Sequence, residues 1–159
     1  MIAARDVFAE TNPAFFGAVL GQFCSAYQAT RPGVCPAAAL VYLVVPLVIS
    51  EDLAPTFDGC NREAGFTMWM GRNPKVSVDL AKKVNSPLEM TTAAIRFGCI
   101  AGILKLTADG DVESTRKTLP KAVLTGVAGA ALKRARLLGI WMAGMGSPRS
   151  VLEALGVSV

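Results

Sequence analysis

The sequence predicts a mainly α-helical fold containing a winged helix-turn-helix-like unit with one β-hairpin wing. Three observations predict it. Asn-Pro and Ser-Pro pairs stand at the head of several apolar-periodic stretches. There the polar side chain can cap free N–H groups, and the proline lacks a donor that would be orphaned anyway. Apolar residues then recur at spacings of three and four, as on a helix with one buried face. Only after Gly102 does the period shorten to that of a strand, and Asp109-Gly110 between two apolar runs marks a hairpin.

Asn12-Pro13 opens the first clear helix, in which Phe16, Leu20, Phe23 and Tyr27 form one stripe, and Arg31-Pro32-Gly33 stops it. Pro36 starts a second helix. From Ala37 to Ile49 nearly every residue is apolar on all sides, so this helix is central, and Pro46 predicts a kink or break because it cannot donate to the carbonyl of Tyr42. Glu51 to Arg62 reads as a polar loop. A helix with Phe66, Trp69 and Met70 follows and ends near Asn73.

Asn73-Pro74 starts the next helix, with Val76, Leu80 and Val84 inward and Asp79, Lys82 and Lys83 outward. Ser86-Pro87 starts another, whose stripe is Met90, Ala94, Phe97 and Ile100 or Ala101. Ile103 to Thr107 and Val112 to Thr115 are the two strands. Two short helices, a third helix and a hairpin in that order predict a winged unit over 66–116, preferred to a hairpin attached to an unrelated bundle. Residues 1–62 form an N-terminal helical part. Residues 117–159 hold C-terminal helices that pack back on the rest as one compact domain. These are a long helix over Ala122 to Met145 and a short one from Ser147-Pro148 to Gly156. Gly126, Gly129 and Gly139 weaken the long helix, and such glycines survive where another backbone packs close.

Hydrophobic residues make up 52% of the 159 and charged ones 18%, which is ample for a core and argues against disorder. Mean hydropathy of +0.44 is high enough that a partner is expected to cover part of the surface. A membrane span is not expected. The one candidate, Cys35 to Ser50, falls short of roughly 20 apolar residues, contains Pro46, and runs straight into Glu51 and Asp52. The first residues hold Arg5, Asp6 and Glu10 and no apolar signal core, so a cytoplasmic protein is expected.

Cys24, Cys35, Cys60 and Cys99 form no close pair, so buried thiols are expected rather than a zinc site. The chain has no histidine, which removes the serine and cysteine triads and every His-ligated metal site. It also lacks a glycine-rich phosphate loop. No catalytic residue, cofactor or metal is therefore expected.

Charge is uneven. The net is +4, yet Lys105 to Arg149 holds eight basic residues against Asp109, Asp111 and Glu113, a local excess of five. Lys105, Arg116, Lys117, Lys133, Arg134 and Arg136 are candidate contacts to DNA phosphates or to an acidic partner. The helix after Pro87 carries only Glu89 and Arg96, too few polar groups for base reading. Protein contact is therefore favoured over DNA, and non-specific over specific DNA contact. Trp69 and Trp141, with Met68, Met70, Met142 and Met145, are candidate interface anchors, core packing being favoured over that role for both tryptophans.

Several of these features occur together in one ordered set. Asn12-Pro13-Ala14-Phe15 is followed by Leu43, Pro46 and Leu47, then by Trp69 and Asn73-Pro74, and Gly102-Ile103-Leu104 leads into the hairpin. Leu138-Gly139, Trp141, Ser147-Pro148 and Leu155-Gly156-Val157 complete it. The pattern resembles the middle component of bacterial three-component ABC-type conflict systems, and is similar to the small third subunit of Lamassu-type anti-phage systems. Gly126 to Ala131, rich in small residues, departs from it. The resemblance implies a non-catalytic adaptor between an SMC- or Rad50-like ATPase and an effector such as a nuclease, with no catalytic residues to carry over. The alternative is a stand-alone winged-helix DNA-binding regulator.

Overall fold

A computed structural model of the chain describes residues 12–115 and 126–157. Within them lie seven α-helices and one two-stranded antiparallel hairpin. The helices are α1 (Pro13–Thr30), α2 (Ala38–Ile49), α3 (Phe66–Arg72), α4 (Leu80–Asn85), α5 (Leu88–Ile100), α6 (Gly126–Gly144) and α7 (Pro148–Ala154). The strands are β1 (Leu104–Leu106) and β2 (Val112–Ser114), and short 3-10 turns cover Ala54–Phe57 and Pro74–Val76. The mainly helical expectation holds. The start of the long helix before residue 126, with Arg116, Lys117 and Lys121, lies outside the described residues.

α1 is the post around which the rest assembles. The Asn12 side chain accepts from the Ala14 N–H at 2.9 Å and satisfies one of the donors that a helix start leaves free. The stripe Phe16, Leu20, Phe23 and Tyr27 is fully buried. α1 packs most extensively on α6, then on α5, and also meets β2 and α2. Two glycines permit the close approaches. A Cβ at Gly139 on α6 would lie 2.5 Å from the Phe23 carbonyl oxygen. A Cβ at Gly17 on α1 would lie 3.5 Å from the Ala94 oxygen of α5.

α2 is buried from Leu40 to Val48 at every position but Tyr42, which is half-buried, as its apolar run predicts. Each such side chain removed from water contributes about 1.5–3 kcal/mol. That surrounding packing also explains a correction. Of the expected kink or break at Pro46 the break is absent, since the helix runs on to Ile49, because tight contacts hold a segment with one missing hydrogen bond. Its start lies beyond Pro36. That residue's carbonyl accepts from Val112, and Ala37 bridges to Asp111, so the lead-in to α2 is spent on the hairpin.

Three further expectations need correction. Glu51 to Arg62 is not a plain polar loop, since Leu53, Thr56 and Phe57 are buried and fold under the aromatic side chains of α3 and α6. Asn73-Pro74 opens only a 3-10 turn. The Asn73 amide donates to the Trp69 carbonyl at 2.9 Å, closing α3 instead of capping a new helix. α4 begins later, after Asp79 in the left-handed conformation (φ 53°). Finally, the buried side of α5 is Thr91, Ala94, Ile95 and Gly98. Of the expected stripe, Ile100 is 88% exposed and faces outward, while Phe97 is 38% exposed, with one edge of its ring against Gly17 of α1.

Gly102, with φ +73°, ends the turn after α5, and the hairpin pairs Leu104 with Ser114, Lys105 with Glu113 and Leu106 with Val112. The Leu104 side chain fills the space left by Gly98, where a Cβ would lie 2.6 Å from its Cδ1. The Ser147 hydroxyl accepts from the Ser150 N–H at 3.2 Å, capping α7. One hydrophobic cluster runs from Phe16 to Leu155. No helix among the described residues is long and apolar enough to cross a membrane.

Candidate partner-binding surfaces

The two tryptophans lie inside. Trp69 on α3 is 1% exposed and Trp141 on α6 is 2% exposed. Their ring centroids are 5.6 Å apart, and Phe57 stacks parallel to Trp141 at 6.0 Å and lies 4.9 Å from Trp69. Each indole N–H is satisfied, Trp69 by the Thr56 hydroxyl at 3.0 Å and Trp141 by the Asn61 carbonyl at 3.1 Å. Both tryptophans are therefore core, and the reason is the Leu53–Phe57 turn, which supplies both a ring and a hydroxyl. Of the methionines, Met142 is buried, Met70 and Met145 are half-buried, and Met68 is exposed. Met68 and Met145 line an open groove of about 590 Å³ beside Phe66, Trp141 and Arg62.

The basic candidates divide. Lys133 and Arg136 stand on the exposed side of α6, three residues apart and therefore neighbours on the helix surface. Arg134 between them is half-buried and its Nε has no partner among the described residues. Burial pushes its pKa down, against the opposing pull of Asp58. Lys105 is exposed on β1. Arg116 and Lys117 lie outside the described residues.

What sequence periodicity missed is the outer side of α5. Ile100 is exposed there, with Glu89 and Arg96 as its charged neighbours, and the partly exposed Leu88 and Phe97 stand at its two opposite edges. The signal was present in the small residues. Ala94 and Gly98, with Thr91 and Ile95, are the positions that meet the neighbouring elements, so Ile100 on the opposite side of the helix is turned outward.

Among the described residues no group of three or more Cys, Asp or Glu gathers that could hold a metal ion. The Cys24 thiol is buried against solvent and its pKa is pushed well above the ordinary thiol range by that burial, so it stays protonated and unreactive. Cys35, more accessible, is also shifted up, by partial burial and then by the nearby carboxylates of Glu113 and Asp111.

These features define a helical packing module with its aromatic side chains inside and several large aliphatic ones uncovered. The family model of the ABC-three component (ABC-3C) system Middle Component 3 matches residues 6–159, and the chain belongs to that family. A middle component of a multi-component system works with partner subunits. Comparison with curated proteins and with solved structures finds no match.

Proposed function

We propose that the chain is a non-catalytic adaptor subunit linking an SMC- or Rad50-like ABC ATPase to an effector, with a nuclease as the expected effector, in cytoplasmic defence against phage and plasmids. Membership of the middle-component family supports the reading, and the observation that carries it is the uncovered outer side of α5. Ile100 is 88% exposed at its end. Large aliphatic side chains left in water are stabilising only when a partner covers them. The lack of histidine agrees with chemistry done by other subunits.

Size-exclusion chromatography of the purified chain with each companion subunit tests it. Co-elution at micromolar concentration is the expected result, and Ile100→Asp abolishes it while leaving the melting curve of the free chain in place. Separate elution of the wild-type chain from both companions rejects the adaptor.

A second reading is a winged-helix DNA-binding regulator, favoured by a hairpin that directly follows α5 and by the exposed Lys133 and Arg136. Against it, the helix that would read bases offers apolar groups to the solvent. Titration of binding to random and operator duplexes across salt separates the two. Sequence preference that persists at physiological salt selects the regulator. Weak, salt-sensitive and sequence-blind binding selects an adaptor that touches DNA held by its ATPase.

A further inference from the structure

α3 and the last turns of α6 border a groove of about 590 Å³, and no residue of α5 lines it. Two of its lining residues belong to the packed aromatic group, Phe66 at 1% and Trp141 at 2% exposure. Met68, 49% exposed, and the half-buried Met145 extend the apolar lining toward solvent. The volume falls in the range of about 300–1,000 Å³ in which proteins seat ligands.

Among the described residues this lining holds one charge. Arg62 stands in the loop that leads to α3, and no Asp or Glu lines the groove. Arg62 is exposed and makes no ion pair or hydrogen bond among the described residues. The backbone around it is nevertheless held. The Asn61 carbonyl accepts from the Trp141 indole at 3.1 Å, and the Asn61 Oδ1 accepts from the Glu63 and Ala64 N–H groups at 3.0 and 3.1 Å. The Thr67 hydroxyl donates to the Met145 sulfur at 3.5 Å, tying α3 to the end of α6. Arg31 of the α1 end donates to the Gly146 carbonyl at 2.6 Å just beyond. A seat whose parts are already fixed loses little entropy when it is filled.

That lining selects its occupant. Thioethers adapt to apolar side chains of varied shape. A lone guanidinium with no carboxylate beside it favours an acidic group, which it grips through two parallel N–H···O bonds. A basic segment would meet uncompensated like charge. Two-fold pairing with a second copy would set hollow against hollow and bring both Arg62 side chains to one contact.

We propose that the groove between α3 and α6 is a docking site for an acidic, apolar segment of a companion subunit, its carboxylate on Arg62 and its apolar side chain against Met68 and Met145. The proposal rests on the adaptor reading for the source of that segment.

Two substitutions test it without touching the core. Arg62→Glu reverses the one charge, and Arg62 has no partner among the described residues whose loss would unsettle the fold. Gly144 also lines the groove, and a Cβ there meets nothing within 4 Å. Gly144→Leu therefore lodges a side chain in the groove while favouring the helix. The probes are the purified ATPase and effector subunits of the same system, titrated against the full chain by calorimetry. Both variants are expected to weaken binding of the same companion about tenfold or more. Arg62→Lys is expected to weaken it about threefold, because it keeps the charge and gives up the fork.

Equal affinity of wild type and Arg62→Glu overturns the acidic occupant, and equal affinity of wild type and Gly144→Leu overturns the groove as its seat. Either result leaves the adaptor standing, since the outer side of α5 is a separate surface. Binding of neither companion by the wild type overturns both. A wild-type dimer that Arg62→Glu or Gly144→Leu dissociates overturns the companion segment in favour of a second copy.

Discussion

Trp69 is 1% exposed and Ile100 88%, although both are large apolar residues on helices that pack into the same core. At the first site Phe57, Phe66, Trp69 and Trp141 gather with centroid separations of 4.9 to 6.0 Å, and each indole N–H is bonded. At the second, α5 meets its neighbours through Thr91, Ala94, Ile95 and Gly98, with one edge of the Phe97 ring against Gly17 of α1, while Ile100 is turned out. Size alone does not select the buried side of a helix. Small residues, Ala94 and Gly98, occupy much of the buried side of α5, whereas the space between α3, α6 and the Leu53–Phe57 turn holds four rings.

The contrast is sharpest in what substitutions cost. Trp69→Ala empties the middle of the aromatic group and is expected to destabilise the chain by about 3–5 kcal/mol in chemical denaturation. A loss below about 1 kcal/mol would mean that the group collapses to fill the space and is not a packed core. Thr56→Val keeps the shape but removes the acceptor for the Trp69 indole. About 1–3 kcal/mol is expected, the cost of a buried donor without a partner, and an unchanged midpoint would show that water reaches the ring nitrogen. Ile100→Ser stands at the other end of the scale, expected within about 0.5 kcal/mol of wild type. A substantial loss there would show that Ile100 is covered in the free chain and erase the contrast.

The stretches read correctly from sequence are those where a local rule and the tertiary packing agree. Asn12-Pro13 caps α1 as its chemistry demands, the Phe16 to Tyr27 stripe is buried, Ser147-Pro148 starts α7, and Asp109-Gly110 turns the hairpin. The errors fall where a neighbour outbids the local signal. Asn73 has cap chemistry but spends its amide on Trp69. Pro46 lacks a donor but is held by contacts on all sides. Phe97 and Ile100 keep helical spacing, yet the periodicity of large residues is blind to a buried stripe made of Thr91, Ala94 and Gly98.

The candidate surfaces were less legible than the fold. Trp69 and Trp141 lie in the core, the reading favoured for both over interface anchors, but nothing local says that Thr56 and Asn61 will meet their ring nitrogens from across the chain. The bonding of β2 to Pro36 and Gln28 had no signature at all. Which backbone groups face outward depends on strand register, and register is fixed here by Gly102 at one end, by Asp109-Gly110 at the other, and by Gln28 and Pro36 from distant parts of the chain.

Where α1 and α6 cross at Gly139, peptide planes meet with no side chain between them. A layer of side chains absorbs displacement by changing rotamers, while touching backbones have no such slack. α1 and α6 are therefore locked at this crossing, and a displacement of one carries the other with it.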